Sequence, residues 1–193
     1  MEQHKEEIIS GEMVLLGEDE CHLLWGDVCG YVWGKCGERI EVVMTNQRER
    51  QTYYGAINFL TREFHLQHYS AGNAENTIAY LKWLLAIYRG KKLLLLWDGA
   101  TYHRDSKLKE FLAEVNKGRE EKDWLVTLLP FAPNAPEQNP VEDIWLAGKN
   151  QLRRQFAKNK TFAQVKESFG SFLKTFLLKS IKFQWYAPQL QII

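Results

Sequence analysis

Three acidic side chains stand at comparable places along this sequence, at the ends of apolar segments. Asp19 comes just after the first short apolar run, and Asp98 directly follows the run at 93–97. Glu142 lies in the first turn of the helix that Pro140 begins. Loops at the carboxyl ends of strands are where open α/β folds build their sites. Carboxylates gathered there bind hard cations, and two Mg²⁺ ions about 3.5–4 Å apart can bind both the attacking and the leaving oxygen of a phosphoryl displacement.

Each of these acids also has a plain structural explanation. Asp98-Gly99 is a common turn pair, and the acidic triplet at 18–20 could be a solvated turn. Glu142 follows Asn139 by three residues, so it could close a capping box and stabilise the helix dipole. No single position therefore identifies a site.

The elements that would position these acids can be predicted from periodicity and turn residues. Up to about Tyr69, β-branched and aromatic residues punctuated by glycines predict antiparallel strands. From Asn73 onward, segments of helical spacing alternate with continuous apolar runs that are typical of buried central strands. Asn139 followed by Pro140 predicts a helix N-terminus. The predicted strands are 13–17, 31–33, 40–45, 53–59, 63–69, 93–97 and 124–129, and the predicted helices are 73–88, 106–115, one from 140, and 162–178.

This order of elements predicts an α/β fold with a mixed β-sheet of about five strands, the first three antiparallel, flanked by helices on both faces. The length of 193 residues indicates one domain. We expect a core over about 10–160 and a basic helical C-terminal extension over about 161–193.

Composition narrows the class of protein. No apolar run approaches the roughly 20 residues of a membrane span, and no signal peptide is recognisable. Three cysteines do not suggest a disulfide framework. We therefore expect a cytoplasmic protein without a membrane partner. Charge is uneven, with a net −7 over residues 1–143 and a net +8 over 144–193, which indicates either a basic end that meets a polyanion or a solvated helical face.

The sequence around the three acids resembles DDE transposases of the mariner superfamily, in its bacterial insertion-sequence branch. The second acidic motif of that family resembles residues 94–103 (LLLWDGATYH), and the third, the more specific, resembles residues 129–145 (LPFAPNAPEQNPVEDIW). The first motif, an apolar strand followed by Asp-Glu, resembles residues 14–20 (VLLGEDE). The resemblance extends over about residues 10–180.

This resemblance implies a ribonuclease H-like fold in which Asp19, Asp98 and Glu142 form a catalytic triad that binds two Mg²⁺ ions, with Mn²⁺ as a substitute. The implied reactions are phosphodiester hydrolysis at transposon ends and transfer of the freed 3′-OH into target DNA. The DNA would therefore be the main partner, in the nucleoid of a bacterial cytoplasm. Transposases of this kind usually act as dimers, so a homodimer is expected.

Two departures from the family leave alternatives open. Asp98 and Glu142 are separated by 43 residues, more than is typical of the family, and the polar stretch at 114–123 reads as an insertion. The chain also begins almost at the first catalytic strand, so we expect N-terminal helix-turn-helix DNA-binding domains to be absent. Either a separately encoded protein supplies them, as in a split element, or the chain is a truncated relic. Two alternative functions remain open. The chain could be a catalytically inactive remnant that acts as a DNA-binding or interaction module, or it could be another ribonuclease H-like nuclease.

Further residues are candidates for supporting roles. Lys149 and Arg153 share the Glu142 face of the predicted helix, and Arg154 and Lys158 could join them in contacting DNA phosphates, although a solvated helix surface explains the same charges. Trp145 is predicted to lie in the core. The candidates adjacent to the acids are Glu20, His103 and Asn139, of which Asn139 is predicted chiefly to cap the helix.

Overall fold

The computed structural model describes residues 2–31, 33–41, 49–98, 104–132 and 138–176. Its strands are β1 (Met13–Leu24), β2 (Arg50–Asn58), β3 (Phe64–Tyr69), β4 (Lys92–Trp97) and β5 (Val126–Pro130). They form one mixed sheet in the order β3-β2-β1-β4-β5. The pairs β1–β2 and β2–β3 are antiparallel, and the pairs β1–β4 and β4–β5 are parallel. The predicted fold class, a mixed sheet whose first three strands are antiparallel, is confirmed.

The helices of the described residues flank this sheet. They are α1 (Lys5–Ser10), α2 (Ala74–Ile87), α3 (Ser106–Val115), α4 (Pro140–Arg154) and α5 (Phe162–Thr175). The last four confirm the predicted helices, although residues 177 and 178 lie outside the described part of the chain. α1 was not predicted, because six residues are too few to display a helical period.

Two hydrophobic layers lie on opposite faces of the sheet. Alternate side chains of β1 point to opposite faces, so Leu15 joins the layer beneath α4 and α5 while Leu16 joins the layer beneath α2 and α3. Helix α5, at the start of the expected C-terminal extension, buries Phe162, Val165, Phe169 and Leu173 in the first of these layers.

Strand β1 is longer than predicted, and the interpretation of residues 18–20 as a polar turn is wrong. These three residues pair with β2, where Asp19 lies opposite Gly55. Glu18 is only 1% exposed and Asp19 only 7%. The pairing with β2 extends to Leu24, so the ladder of backbone hydrogen bonds outweighs the low strand propensity of three consecutive acids.

The strands predicted at 31–33 and 40–45 are not found in the described residues. Tyr31, Trp33, Ile40 and Glu41 have no strand conformation, and residues 32 and 42–45 lie outside the description. β1 pairs directly with β2 and β4, so neither of its edges is open to a further strand. Tyr31, Trp33, Ile40 and Glu41 therefore lie in the connection between β1 and β2.

Candidate active site

Asp19 lies in the interior of β1, on the sheet face that α4 covers. Its Oδ2 accepts a hydrogen bond of 3.1 Å from the indole Nε1 of Trp145 on α4. The prediction that Trp145 lies in the core is confirmed, because only 3% of this residue is exposed. The hydrogen bond itself was not predicted, and it joins residues 126 positions apart in sequence.

Asp98 is the first residue after β4, and it is exposed. Strands β1 and β4 are parallel, with Gly17 opposite Leu96, so continuing this register places Asp98 beside Asp19. Leu96 belongs to the layer beneath α4, and the alternation of a strand assigns Asp98 to that same face. The predicted position of Asp98 at the carboxyl end of a central strand agrees with this arrangement.

Glu142 is the third residue of α4 and its side chain is exposed. Asn139 precedes the helix as N-cap, and its side-chain oxygen accepts a 3.1 Å hydrogen bond from the backbone N–H of Val141. The capping role predicted for Asn139 is thus confirmed. At Gly17, an added Cβ would lie 3.0 Å from Phe59 and 3.4 Å from the ring of Pro140, so the missing side chain lets the start of α4 approach β1 closely.

The electrostatics of Asp19 show that the acids act on one another. The pKa of Asp19 is raised from 3.8 to about 8, first by burial and then by the negative charges of Glu142, Glu20 and Asp98. Residues from β1, from the end of β4 and from α4 therefore create one negative field. A bound cation would relieve this repulsion.

Glu18 lies beside Asp19 but belongs to the opposite face of the sheet. Neither of its carboxylate oxygens has a hydrogen-bond partner among the described residues. Burial raises its pKa well above the usual value, and Glu20, Asp19 and Asp98 raise it further. This buried carboxyl group differs from the solvated acid expected from the sequence.

The donor chemistry of the site fits a hard divalent cation. Asp19, Asp98 and Glu142 offer carboxylate oxygens, the ligands that Mg²⁺ and Mn²⁺ prefer, and the pKa of Asp19 is raised by burial and by the negative charges of its neighbours. Within the described residues, however, no three or more His, Cys, Asp or Glu side chains are grouped closely enough to hold a metal ion. The three acids thus share a field without forming a finished chelating group.

The structure describes only one of the two remaining candidates adjacent to the acids, Glu20 and His103. Glu20 is half-buried on β1, and its charge contributes to the raised pKa of Asp19. His103 lies outside the described residues, so its predicted role stays a prediction.

The four basic candidates differ in what they contact. The Nζ of Lys149 lies 3.4 Å from Asp27 Oδ1, and Arg153 donates from Nε to the backbone oxygen of Cys29 at 3.2 Å. Arg154 and Lys158 are exposed. Two of the four residues therefore hold the segment after β1 against α4, while the other two present their charges to solvent.

A groove of about 900 Å³ runs between that segment and the end of α4. Two of its residues, Tyr31 and Trp33, are fully exposed, which is unusual for aromatic side chains of this size. Its lining residues are Cys29, Gly30, Tyr31, Trp33, Asn150, Arg153, Arg154 and Phe156. Aromatic rings beside guanidinium groups are typical of surfaces that bind nucleic acids.

The sheet order and the flanking helices give this chain the ribonuclease H-like fold that transposase and integrase catalytic domains share. A family model described as DDE superfamily endonuclease matches residues 15–165, and the chain belongs to this family. None of the curated proteins compared with this sequence matches it.

Solved structures share this fold at low sequence identity. The chain is similar to the Mos1 transposase in its paired-end complex with the left transposon end, with 14% identity and a TM-score of 0.57 over 98% of this chain and 55% of that one. It is also similar to a chain of the simian T-cell lymphotropic virus intasome in complex with PP2A regulatory subunit B56 gamma, with 10% identity and a TM-score of 0.56 over 89% of this chain and 53% of that one. The HTLV-2 integrase catalytic core domain in complex with magnesium gives 9% identity and a TM-score of 0.52 over 86% of this chain and 88% of that one. The chain thus spans just over half the length of the first two proteins.

No helix among the described residues is both long and apolar enough to cross a membrane.

Proposed function

We propose that this chain is the catalytic domain of a DDE transposase from the bacterial insertion-sequence branch of the mariner superfamily. It hydrolyses a phosphodiester bond at each transposon end and then transfers the freed 3′-OH into target DNA. Membership in the DDE superfamily endonuclease family and the likeness of its fold to transposase and integrase domains support this proposal.

The observation that carries the proposal is the response of Asp19 to its neighbours. Its pKa is raised to about 8 by burial and by the charges of Glu142, Glu20 and Asp98. Burying a carboxyl group among other negative charges destabilises the fold, so packing alone does not explain this arrangement. Perturbed groups of this kind gather where function requires them.

In the proposed mechanism, Asp19, Asp98 and Glu142 would hold two Mg²⁺ ions, for which Mn²⁺ can substitute. These ions would supply charge neutralisation at the attacking and leaving oxygens. The chain itself contributes rigid placement, since Asp19 is fixed within a central strand and Glu142 on the capped first turn of α4. In the first step a water oxygen attacks phosphorus and the 3′ oxygen leaves; in the second the resulting 3′-OH attacks a target phosphate and another 3′ oxygen leaves.

The DNA is proposed to lie along the surface of α4. Arg154 and Lys158 are exposed on the basic part of the chain and are available for phosphate contacts. Lys149 and Arg153 would act from within the same surface, although each also has a partner inside the chain. The groove beside Tyr31 and Trp33 adds rings on which bases can stack. A homodimer and a separately encoded helix-turn-helix protein remain part of this proposal.

The test is a nicking assay with a short DNA duplex and Mn²⁺, comparing the wild type with Asp98→Ala. Asp98 is exposed at the end of β4, so its removal should leave the fold intact while abolishing metal-dependent cleavage. Asp105→Ala is the control, because Asp105 is also exposed but lies at the start of α3. Equal nicking rates for wild type and Asp98→Ala would refute the triad. Metal binding by the wild type without cleavage of any DNA would favour an inactive remnant.

A further inference from the structure

The indole of Trp145 has a single hydrogen-bond donor, and it donates to Asp19, the first acid of the site. Its Nε1 donates to Asp19 Oδ2 over 3.1 Å, and the two residues are 3% and 7% exposed. A hydrogen bond to a carboxylate in such a dry environment is stronger than one at the surface. Packing alone would not require a tryptophan here, since a phenyl ring could fill much of the same space.

Packing prevents the indole from turning away. Phe64 meets it edge-on with ring centroids 5.5 Å apart, and Phe169 stacks on it at 6.2 Å with an interplanar angle of 18°. The ring lies over Gly55, the residue directly opposite Asp19 in the β1–β2 register. A Cβ at Gly55 would lie 2.5 Å from Cζ of Phe64 and 2.6 Å from Cη2 of the indole, so any larger residue would push both rings away.

The hydrogen bond also connects two of the three acids. Trp145 follows Glu142 by three residues on α4, and residues with this spacing lie on neighbouring parts of one helix surface. The same helix therefore carries Glu142 and the donor that holds Asp19. A shift of α4 relative to β1 would move Glu142 and strain the hydrogen bond to Asp19 at the same time.

We propose that Trp145 is a positioning residue, whose N–H holds the Asp19 carboxylate in the orientation needed for a divalent cation, with Gly55 providing the space for its ring. This inference rests on the proposed function of the site. In metal sites, partners of this kind orient the ligating group, and their loss typically lowers metal affinity about 10–100-fold.

The first measurement is Mn²⁺ binding by calorimetry to the wild type, Trp145→Phe and Trp25→Phe. Trp25 is a matched control because it is buried in the same hydrophobic layer while its Nε1 has no hydrogen-bond partner in the described structure. We expect Trp145→Phe to lose about 10–100-fold in affinity, and Trp25→Phe to stay close to the wild type. Gly55→Ala, which keeps the indole but displaces it, should also weaken Mn²⁺ binding. Thermal unfolding of each variant identifies those that remain folded.

The second measurement needs no metal. The indole N–H resonances of the seven tryptophans can be recorded by NMR, and the signal of Trp145 is the one that disappears in Trp145→Phe. In Asp19→Asn an amide replaces the carboxyl group that accepts this hydrogen bond, so this signal should move while that of Trp25 stays in place. A residue that only fills space would show no such specific response.

The outcomes separate this inference from the proposed function. If the chemical shift of the Trp145 signal does not change in Asp19→Asn, the inference is wrong, whatever the metal titrations give. If the signal moves but folded Trp145→Phe and Gly55→Ala bind Mn²⁺ with wild-type affinity, the positioning role is wrong, although the transposase proposal stands. A wild type that neither binds Mn²⁺ nor cleaves DNA refutes the proposed function, and with it the role of Trp145 toward a cation.

Discussion

Replacing Asp19 with asparagine should stabilise the metal-free protein, by an amount that grows with pH. The folded state holds the pKa of this carboxyl group at about 8, against 3.8 for the ordinary group. The folded protein therefore binds the proton more tightly than the unfolded chain does. The stability that this proton contributes is fully present below about pH 4 and is lost as the pH rises toward 8.

The size of the effect follows from the span of about four pH units. Each unit corresponds to about 1.4 kcal/mol, so deprotonation of Asp19 should cost the fold up to about 5 kcal/mol at pH 8. This is a large part of the roughly 5–15 kcal/mol that stabilises an ordinary domain. Asparagine stays neutral throughout and keeps an oxygen for the Trp145 N–H, so the variant should escape this loss.

The assay is urea unfolding in EDTA, followed by tryptophan fluorescence between pH 4.5 and 8.5. The free energies of unfolding of wild type and Asp19→Asn should differ by about 1 kcal/mol or less near pH 4.5 and by several kcal/mol by pH 8. Asp105→Asn, a surface change of the same kind at the N-cap of α3, should follow the wild type at every pH. Equal stabilities of wild type and Asp19→Asn at pH 8 would refute the reasoning. The reasoning would also be refuted if, without metal, the free energy of unfolding of the wild type rose relative to that of the variant between pH 5 and pH 8.

Two further predictions concern the helix packing and the DNA surface. Gly148→Ala should lower the free energy of unfolding by about 1–3 kcal/mol, because its Cβ would lie 2.6 Å from a phenyl ring of α5. Gly170→Ala, which has room for a methyl group, should cause no such loss. Urea unfolding measures both variants, and equal effects would contradict this prediction. Neutralising Arg154 and Lys158 together should reduce the slope of log affinity against log salt for duplex DNA by about two. Lys109→Gln, at an exposed position of α3, should leave the slope unchanged. Fluorescence anisotropy at several salt concentrations measures the slope, and an unaltered slope in the double variant would exclude this end of α4 from the DNA interface.

Local sequence signals were sufficient where one segment settles its own structure. The continuous apolar run before Asp98 predicted a central strand, and β4 occupies it. Asn139 followed by Pro140 predicted a helix start, and both the cap and the first-turn position of Glu142 are found there. These features depend on periodicity and on capping, which neighbouring residues determine without help from the rest of the chain.

Other local signals were misleading because pairing partners decided the outcome. The acidic triplet at 18–20 has the composition of a turn, but β2 continues the ladder past it and makes it strand. Tyr31 and Trp33 are residue types that favour strands, but they pair with none of the strands in the described sheet and lie exposed in a connection. Strand formation depends on neighbours that are distant in sequence, so composition alone is a weak guide to it.

The sequence by itself determined which acids are candidates for the site, since all three can be selected by their types, their spacing and the motifs around them. Only the tertiary structure decided that Asp19 is buried, that its pKa rises to about 8, and that the Trp145 indole donates to its carboxylate. The physical reason is that burial, electrostatic fields and hydrogen bonds between elements depend on distances in space. Residues 126 positions apart share such a contact here only because α4 packs across the sheet onto β1.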